Sequence, residues 1–374
     1  MKLKNICQFS DSDRQTRIPS GCGIIGIFNR DRKRISGSDV ALALCTMRER
    51  GNGLGSGYAA YGIYPELAES WCLHLLFGSD NGKNQTEQYL KTRFSLHQAE
   101  PIPTRTVRSL KHPPILWRYF VTPKEAIWQN ELPGQDEKDY VASAFMWINQ
   151  NIPDAFVMSS GKNMGIFKGV GQPDDIADFY RLEEYSGYLW TGHNRFPTNS
   201  VGWWGGAHPF GLLDWSVVHN GEISSYGVNR RYLENFGYFC TLFTDTEVIA
   251  YLFDLLVRKQ RLPLEIVGKI IAAPFWSKIE LLPASEQETA RLLRVAYGSA
   301  LMNGPFGVIV ACSKFMLGIT DRIKLRPLVA AEKGKTLYLA SEQSAIFAVK
   351  GNPDRVWTPR AGEVTGGFLE EENG

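Results

Sequence analysis

The chain begins with polar text and turns abruptly apolar at C-G-I-I-G-I-F, residues 22–28, an unbroken run that reads as a buried strand. Polar helix starters follow, and the spacing predicts a helix over 38–50 with Gly51 as its C′ stop. Gly51, Gly53, Gly55 and Gly57 then punctuate a loop that leads into a strand at 58–61. From about 64 to 184 the pattern is less regular. It holds helix-like stretches at 141–151 and 174–184 and a strand-like stretch at 155–159. No Pro/Ser-rich linker isolates this region, so it reads as an elaboration of one domain.

Strand patterns return at 188–192 and 215–219, the second running into the turn pair Asn220-Gly221. Thr244 and Glu247 form a capping box, and Val248, Tyr251, Leu252, Leu255 and Leu256 then make an apolar stripe at helical spacing. A second long helix is predicted over 285–301. Beyond it, short apolar runs alternate with turns at 306–311, 316–319, 327–331, 336–340 and 345–349, each read as a strand. Strands at both ends with helices between them point to an α+β fold. A four-layer α/β/β/α sandwich is the natural candidate, although periodicity alone does not select it.

Composition adds exclusions. At 374 residues, 44% hydrophobic and 21% charged, the chain has ample material for a core. A net charge of +2 with no long basic run gives no footprint for nucleic acid or a membrane surface. The six cysteines and six histidines are scattered, without disulfide or zinc spacing, so no metal is expected. Residues 1–21 lack the apolar core of a signal peptide, and no run reaches the ~18 apolar residues of a membrane span. A cytoplasmic location is the expectation.

Candidate chemistry centres on Cys22, flanked by Gly21 and Gly23. Freed at its amino side, this residue would carry a thiol nucleophile and an α-amine of pKa roughly 7.7–8.0, a usable general base at neutral pH. Taken alone it reads more readily as a structural cysteine at a strand start, because buried free cysteines are common. Arg195, among small polar residues in G-H-N-R-F-P-T-N-S (192–200), has the guanidinium that could hold a carboxylate, or a surface ion pair. Asn220 and Gly221 fit either a hairpin turn or an oxyanion hole made of a side-chain amide and a backbone N–H. Asp245, at a helix start, can favour the helix dipole or pair with an ammonium group.

Taken in order, these motifs resemble the class II glutamine amidotransferases. The resemblance rests on C-G-I-I-G-I-F, R-E-R-G-N-G-L-G-S-G (48–57), G-H-N-R-F-P-T-N-S, A-H-P-F (207–210), V-H-N-G-E-I (218–223) and T-D-T-E-V-I-A (244–250). It continues through N-G-P-F-G-V-I-V (303–310), G-I-T-D-R-I-K-L-R-P-L (318–328) and Y-L-A-S-E-Q-S-A-I (338–346). Its nearest branch resembles the amidotransferase domain of glutamate synthase and stand-alone GlxB-type proteins. The resemblance implies the N-terminal-nucleophile hydrolase fold over 22–374, elaborated at about 64–184. It also implies Cys22 as nucleophile, Asn220 and Gly221 as oxyanion hole, Arg195 and Asp245 binding the two charged ends of L-glutamine, and Thr198 lining the pocket. Asp321, Arg322 and Arg326 fall in a family motif associated with the core and the ammonia exit side, where a buried ion-pair network explains them as well as a catalytic role does.

Two departures qualify this. Residues 1–21 precede the nucleophile, so activity requires cleavage of the Gly21–Cys22 bond, expected to be autocatalytic. No flavin, nucleotide or sugar-phosphate motif is visible and no cofactor is expected; Gly51–Gly57 lacks the strand–turn–helix setting of a dinucleotide site. Ammonia is therefore expected to pass to a separate synthase subunit, a glutamate-synthase-like flavoprotein, in a hetero-oligomer. The rival readings are an unprocessed, non-catalytic regulatory or scaffold subunit, and a hydrolase of another amide.

Overall fold

A computed structural model describes residues 21–195 and 202–370. The apolar run after Cys22 forms the strand Gly23–Asn29, every residue of which is buried. Its Ile24, Ile25, Ile27 and Phe28 side chains contribute roughly 1.5–3 kcal/mol each on burial, which fixes the position of the residue before them. This strand lies in the middle of a seven-stranded antiparallel sheet. The order is Arg355–Trp357, Val329–Lys333, Thr336–Ala340, Gly23–Asn29, Leu189–Asn194, Ser56–Tyr61, Met164–Gly169.

A second sheet of five strands packs against it, in the order Phe210–Leu212, Trp215–Gly221, Phe306–Cys312, Phe315–Thr320, Thr365–Phe368. Gly26 allows the close approach: a Cβ there would lie 2.5 Å from Met316 Sδ. The Tyr61 hydroxyl crosses between the sheets, 2.8 Å from Ser216 Oγ and 3.1 Å from the Ala311 carbonyl. Helices Gly37–Cys45, Pro173–Phe179 and Gln343–Lys350 cover the outer face of the first sheet. Helices Tyr226–Glu234, Asp245–Phe253 and Leu264–Ile271 cover that of the second. The layering is α/β/β/α, as anticipated.

The structure corrects several local expectations. Residues 345–349 form part of the helix Gln343–Lys350, with Ala345 and Ile346 buried against the helix Gly37–Cys45; a short apolar run does not distinguish strand from helix. The first helix ends at Cys45 instead of residue 50. A separate 3₁₀ turn, Arg48–Arg50, follows, because the Asn194 amide takes the Met47 and Arg48 carbonyls. The helix expected over 285–301 stops at Ala296, and none of its residues is buried. Residues 174–184 are broken at Arg181, which has φ +54. Asn220-Gly221 is no hairpin turn: both residues stay in the strand Trp215–Gly221, paired with Gly307 and Phe306.

The irregular stretch is more ordered than its sequence pattern implied. It supplies a further four-stranded sheet, Phe94–Pro101, Ile115–Pro123, Trp71–Phe77, Ala155–Ser159, with helices Asp80–Arg93 and Glu137–Asn151 against it. Its last strand leads directly into Met164–Gly169 at the edge of the main sheet.

Candidate functional site

Antiparallel pairing assembles the site. Gly23 stands opposite Asn194, so the next residues outward, Cys22 and Arg195, meet at the same end of the sandwich. Gly21 has φ +121, and a Cβ built on it would lie 3.5 Å from the Arg326 guanidinium, 3.7 Å from Asn220 Oδ1 and 3.8 Å from that of Arg50. The Gly21–Cys22 peptide thus sits among two cations and one amide. Arg50 Nε donates to the Cys22 carbonyl at 2.9 Å, and Nη1 donates to Glu342 Oε1 at 2.7 Å. Gly51 makes the Arg48–Arg50 turn possible, since a Cβ there would fall 2.0 Å from Asn194 Oδ1. Its role is close approach, and its own backbone is extended (φ −94).

Arg195 is gripped by the glycine loop. Its N–H donates to the Gly55 carbonyl at 2.9 Å, and its carbonyl accepts from Asn52 N–H at 3.2 Å. Burial disfavours its charge, while the neighbouring Cys22 thiol and Asp245 carboxylate act in the opposite sense. Both groups thus lie within electrostatic reach of the Arg195 guanidinium. Thr198 lies outside the described residues.

Asn220 and Gly221 close the other side. Gly221 has φ +141, and a Cβ there would meet the Pro305 carbonyl at 1.9 Å, so no other residue fits without backbone movement. Asn220 is fully buried. Its Nδ2 donates to Ser341 Oγ at 3.3 Å, and Oδ1, on the Gly21 side, has no hydrogen-bond partner among the described residues. Asp245 opens the helix Asp245–Phe253, and its Oδ2 accepts from Ile223 N–H at 3.0 Å. Burial pushes its carboxyl up, but His219, the Ile223 N–H and Thr246 outweigh that and hold it below the usual range. It is an anion.

Behind Asp245 the scattered histidines converge. His193 Nε2 lies 3.0 Å from the His219 carbonyl and 2.8 Å from His208 Nδ1. His208 Nε2 is 3.0 Å from Thr246 Oγ1, which reaches His219 Nδ1 at 3.2 Å and Asp245 Oδ1 at 3.4 Å. Burial drives His193 and His208 well below their ordinary range, so both rings are neutral. One tautomer fits these contacts: His193 Nε2–H donates to the His219 carbonyl, His208 Nε2–H to Thr246, and the Thr246 hydroxyl onward, while His193 Nδ1 and His219 Nε2 have no hydrogen-bond partner among the described residues. Among the described residues no group of three or more His, Cys, Asp or Glu is arranged to hold a metal ion.

Other members escaped sequence reasoning. Ser341 Oγ accepts from Ile24 N–H at 3.2 Å as well as from Asn220, and links the strand Gly23–Asn29 to the amide. Lys168 is buried, donating to the Gly205 and Pro209 carbonyls, and burial lowers its ammonium to about 7. Glu247 forms only half of the predicted capping box. Its N–H donates to Thr244 Oγ1, but its carboxylate turns to the N–H groups of Thr241 and Leu242. Burial raises that carboxyl to about 7, against those hydrogen bonds. Asp321 joins no ion pair among the described residues; it accepts from Phe306, Ile323 and Leu325 N–H and shapes its own loop.

On an α/β/β/α frame, the buried Cys22 at the head of a central strand and Arg195 at the facing strand end stand with Asn220-Gly221, at the end of a strand of the second sheet, and with the Asp245 carboxylate. The chain belongs to the class II glutamine amidotransferases, whose family description matches residues 109–237. It is 50% identical over 363 residues to an uncharacterized protein of Archaeoglobus fulgidus, covering 96% of this chain and 94% of the relative. A protein of Methanothermobacter thermautotrophicus, provisionally named a glutamine amidotransferase, is 26% identical over 88% of this chain and 93% of its own length. The glutamine amidotransferase-like protein GlxB of Rhizobium meliloti is 27% identical over 57% of this chain and 62% of its own. No helix among the described residues is long and apolar enough to cross a membrane.

Proposed function

We propose that this enzyme hydrolyses L-glutamine through a Cys22 thioester and delivers the ammonia to a separate synthase subunit of glutamate-synthase type. The observation that carries the reading is the meeting of Cys22, Arg195 and Asp245 at one end of the sandwich, with Asn220 beside them. Arg195 takes the glutamine α-carboxylate and Asp245 its α-ammonium, with Thr198 lining the pocket. In the chain that begins at Cys22, after removal of residues 1–21, the α-amine accepts the thiol proton. Sulfur attacks the side-chain amide carbon, and the oxyanion is met by Asn220 Nδ2 and the Gly221 N–H. The amine returns the proton to the departing nitrogen, and ammonia leaves. Water, deprotonated by the same amine, opens the thioester and releases glutamate.

The Asn220 amide fits this role after a half-turn about its terminal torsion. Ser341 Oγ already accepts from Ile24 N–H, so its own proton is available to Asn220 Oδ1. The turned amide satisfies the buried Oδ1 and aims Nδ2 at the Cys22 side. Cys22→Ala should abolish glutaminase activity and labelling by a glutamine-like electrophile, and the intact mass of active protein should lack residues 1–21. Activity retained in that variant overturns the mechanism, and activity in a chain that keeps its leader overturns the α-amine as base.

A further inference from the structure

At the opposite end of the main sheet from Cys22, the strands Gly23–Asn29 and Ser56–Tyr61 run out into a cavity of about 650 Å³. Strand length puts it roughly 23 Å from the nucleophile. Five cations line it: Arg32, Arg34, Lys138, Lys162 and Lys314. The carboxylates in its wall are Glu69 and Asp214. Five positive against two negative leaves +3, more than the +2 of the entire chain. None of the five makes an ion pair among the described residues. Some cations elsewhere are paired, as Arg48 with Asp174, Arg118 with Glu100 and Arg258 with both Asp139 and Asp254. Asp214 is itself engaged, accepting from the Ser313 hydroxyl at 2.6 Å.

The rim is built from tight turns. Arg32, Gly62 and Asn163 all have positive φ, the Gly62 N–H donates to the Asn163 carbonyl at 2.7 Å, and Asn163 Oδ1 accepts from Tyr64 N–H at 2.7 Å. Arg34 Nη2 donates to the Gly62 carbonyl at 2.6 Å, and the Lys162 ammonium stands 5.1 Å over the Trp71 ring. Cations held in one concavity repel one another unless an anion joins them. The volume falls within the roughly 300–1,000 Å³ of small-molecule sites, and concavity favours a small ligand over a flat protein face.

We infer that this cavity is a binding site for a small polyanion carrying phosphate groups, separate from the glutamine site. The test is calorimetric titration of the full chain with inorganic pyrophosphate. Saturable binding of one equivalent is expected, weakening as salt is raised from low to physiological strength. The double variant Lys162→Ala/Lys314→Ala should bind about tenfold more weakly or worse, since each removed cation takes a charge-assisted contact. It should keep wild-type glutaminase activity, because neither residue belongs to the glutamine site. Lys269→Ala/Lys278→Ala removes the same charge from helices outside the cavity and should bind as wild type does. Absence of saturable binding, or equal weakening in both double variants, overturns the proposal; the first result would leave an acidic protein surface as the remaining class of occupant.

Discussion

Replacing Ser341 with alanine removes one oxygen atom that two parts of the site share. That oxygen receives the Ile24 N–H at 3.2 Å and lies 3.3 Å from the Asn220 amide, to whose Oδ1 it donates in the turned orientation; both contacts are buried. The Ser341 backbone N–H donates to the Ile24 carbonyl at 2.9 Å and survives the change, so the strand stays in register. Leaving a buried donor without its acceptor costs about 1–3 kcal/mol, and stability should fall by that amount. The catalytic effect is separate. On the proposed mechanism Asn220 supplies an oxyanion donor that Ser341 orients; loss of such a donor lowers kcat by roughly 10²–10³, so a fall of about ten- to thirtyfold is expected. KM for glutamine should change little, because Arg195 and Asp245 are untouched. Steady-state glutaminase kinetics, run well below the melting point of the variant, give both constants. Ser341→Thr keeps the hydroxyl and should recover most of kcat. A Ser341→Ala protein with kcat within twofold of wild type would refute the claim that this hydroxyl holds the amide.

Gly51→Ala should destabilise by about 2–3 kcal/mol, read by chemical denaturation, because its Cβ falls 2.0 Å from Asn194 Oδ1 and displaces an amide holding two carbonyls. Since the turn also carries Arg50 to the Cys22 carbonyl, kcat should fall with it; unchanged stability would show that Asn194 yields freely. Glu247 gives a pH prediction. Its folded pKa is raised from 4.5 to about 7, so the stability it confers is complete below about 4.5 and is lost as pH rises through 7. Lys168 is lowered from 10.5 to about 7, so its penalty is present below 7 and is relieved towards 10.5, a different window. Glu247→Gln should therefore flatten the fall in unfolding free energy between pH 5 and 7, worth roughly 3 kcal/mol at most; an unaltered slope would dismiss Glu247 as its source.

The sequence revealed what depends on local pattern. Gly23–Asn29 is legible because a strand buried on both faces needs no alternation, and the helix at Asp245 because its apolar stripe is complete. Within 64–184 the pattern shows only Ala155–Ser159 as a strand; it misses Trp71–Phe77, although that strand is mostly apolar and fully buried, and Phe94–Pro101 is hidden for the opposite reason. Ser95, Leu96, His97, Gln98 and Ala99 are all exposed along Phe94–Pro101, so that strand carries no apolar signature. In the site, Cys22, Arg195, Asn220, Gly221 and Asp245 stood out because each sits in a motif with its own chemistry. Ser341 did not, since its meaning lies in a bond to Ile24, 317 residues away. Lys168 reads as one polar letter in a strand until Gly205 and Pro209 are seen to enclose it. The three histidines were scattered in sequence, and only strand pairing and the Thr246 hydroxyl bring them into one row.

The central place of Gly23–Asn29 has a consequence for amide exchange. A newly made chain end ordinarily frays, because its first residues are held on one side at most. Here the residues after Cys22 are laddered to Leu189–Asn194 on one edge and Thr336–Ala340 on the other. Cutting the chain at Gly21–Cys22 removes none of those ladders. The amides of Ile25 to Phe28 should then exchange with solvent only through opening of the whole sandwich, at the slow rate of the core. If the α-amine of Cys22 is the general base, as proposed, it stands on an end that carries a free amine yet moves no more than the middle of a sheet.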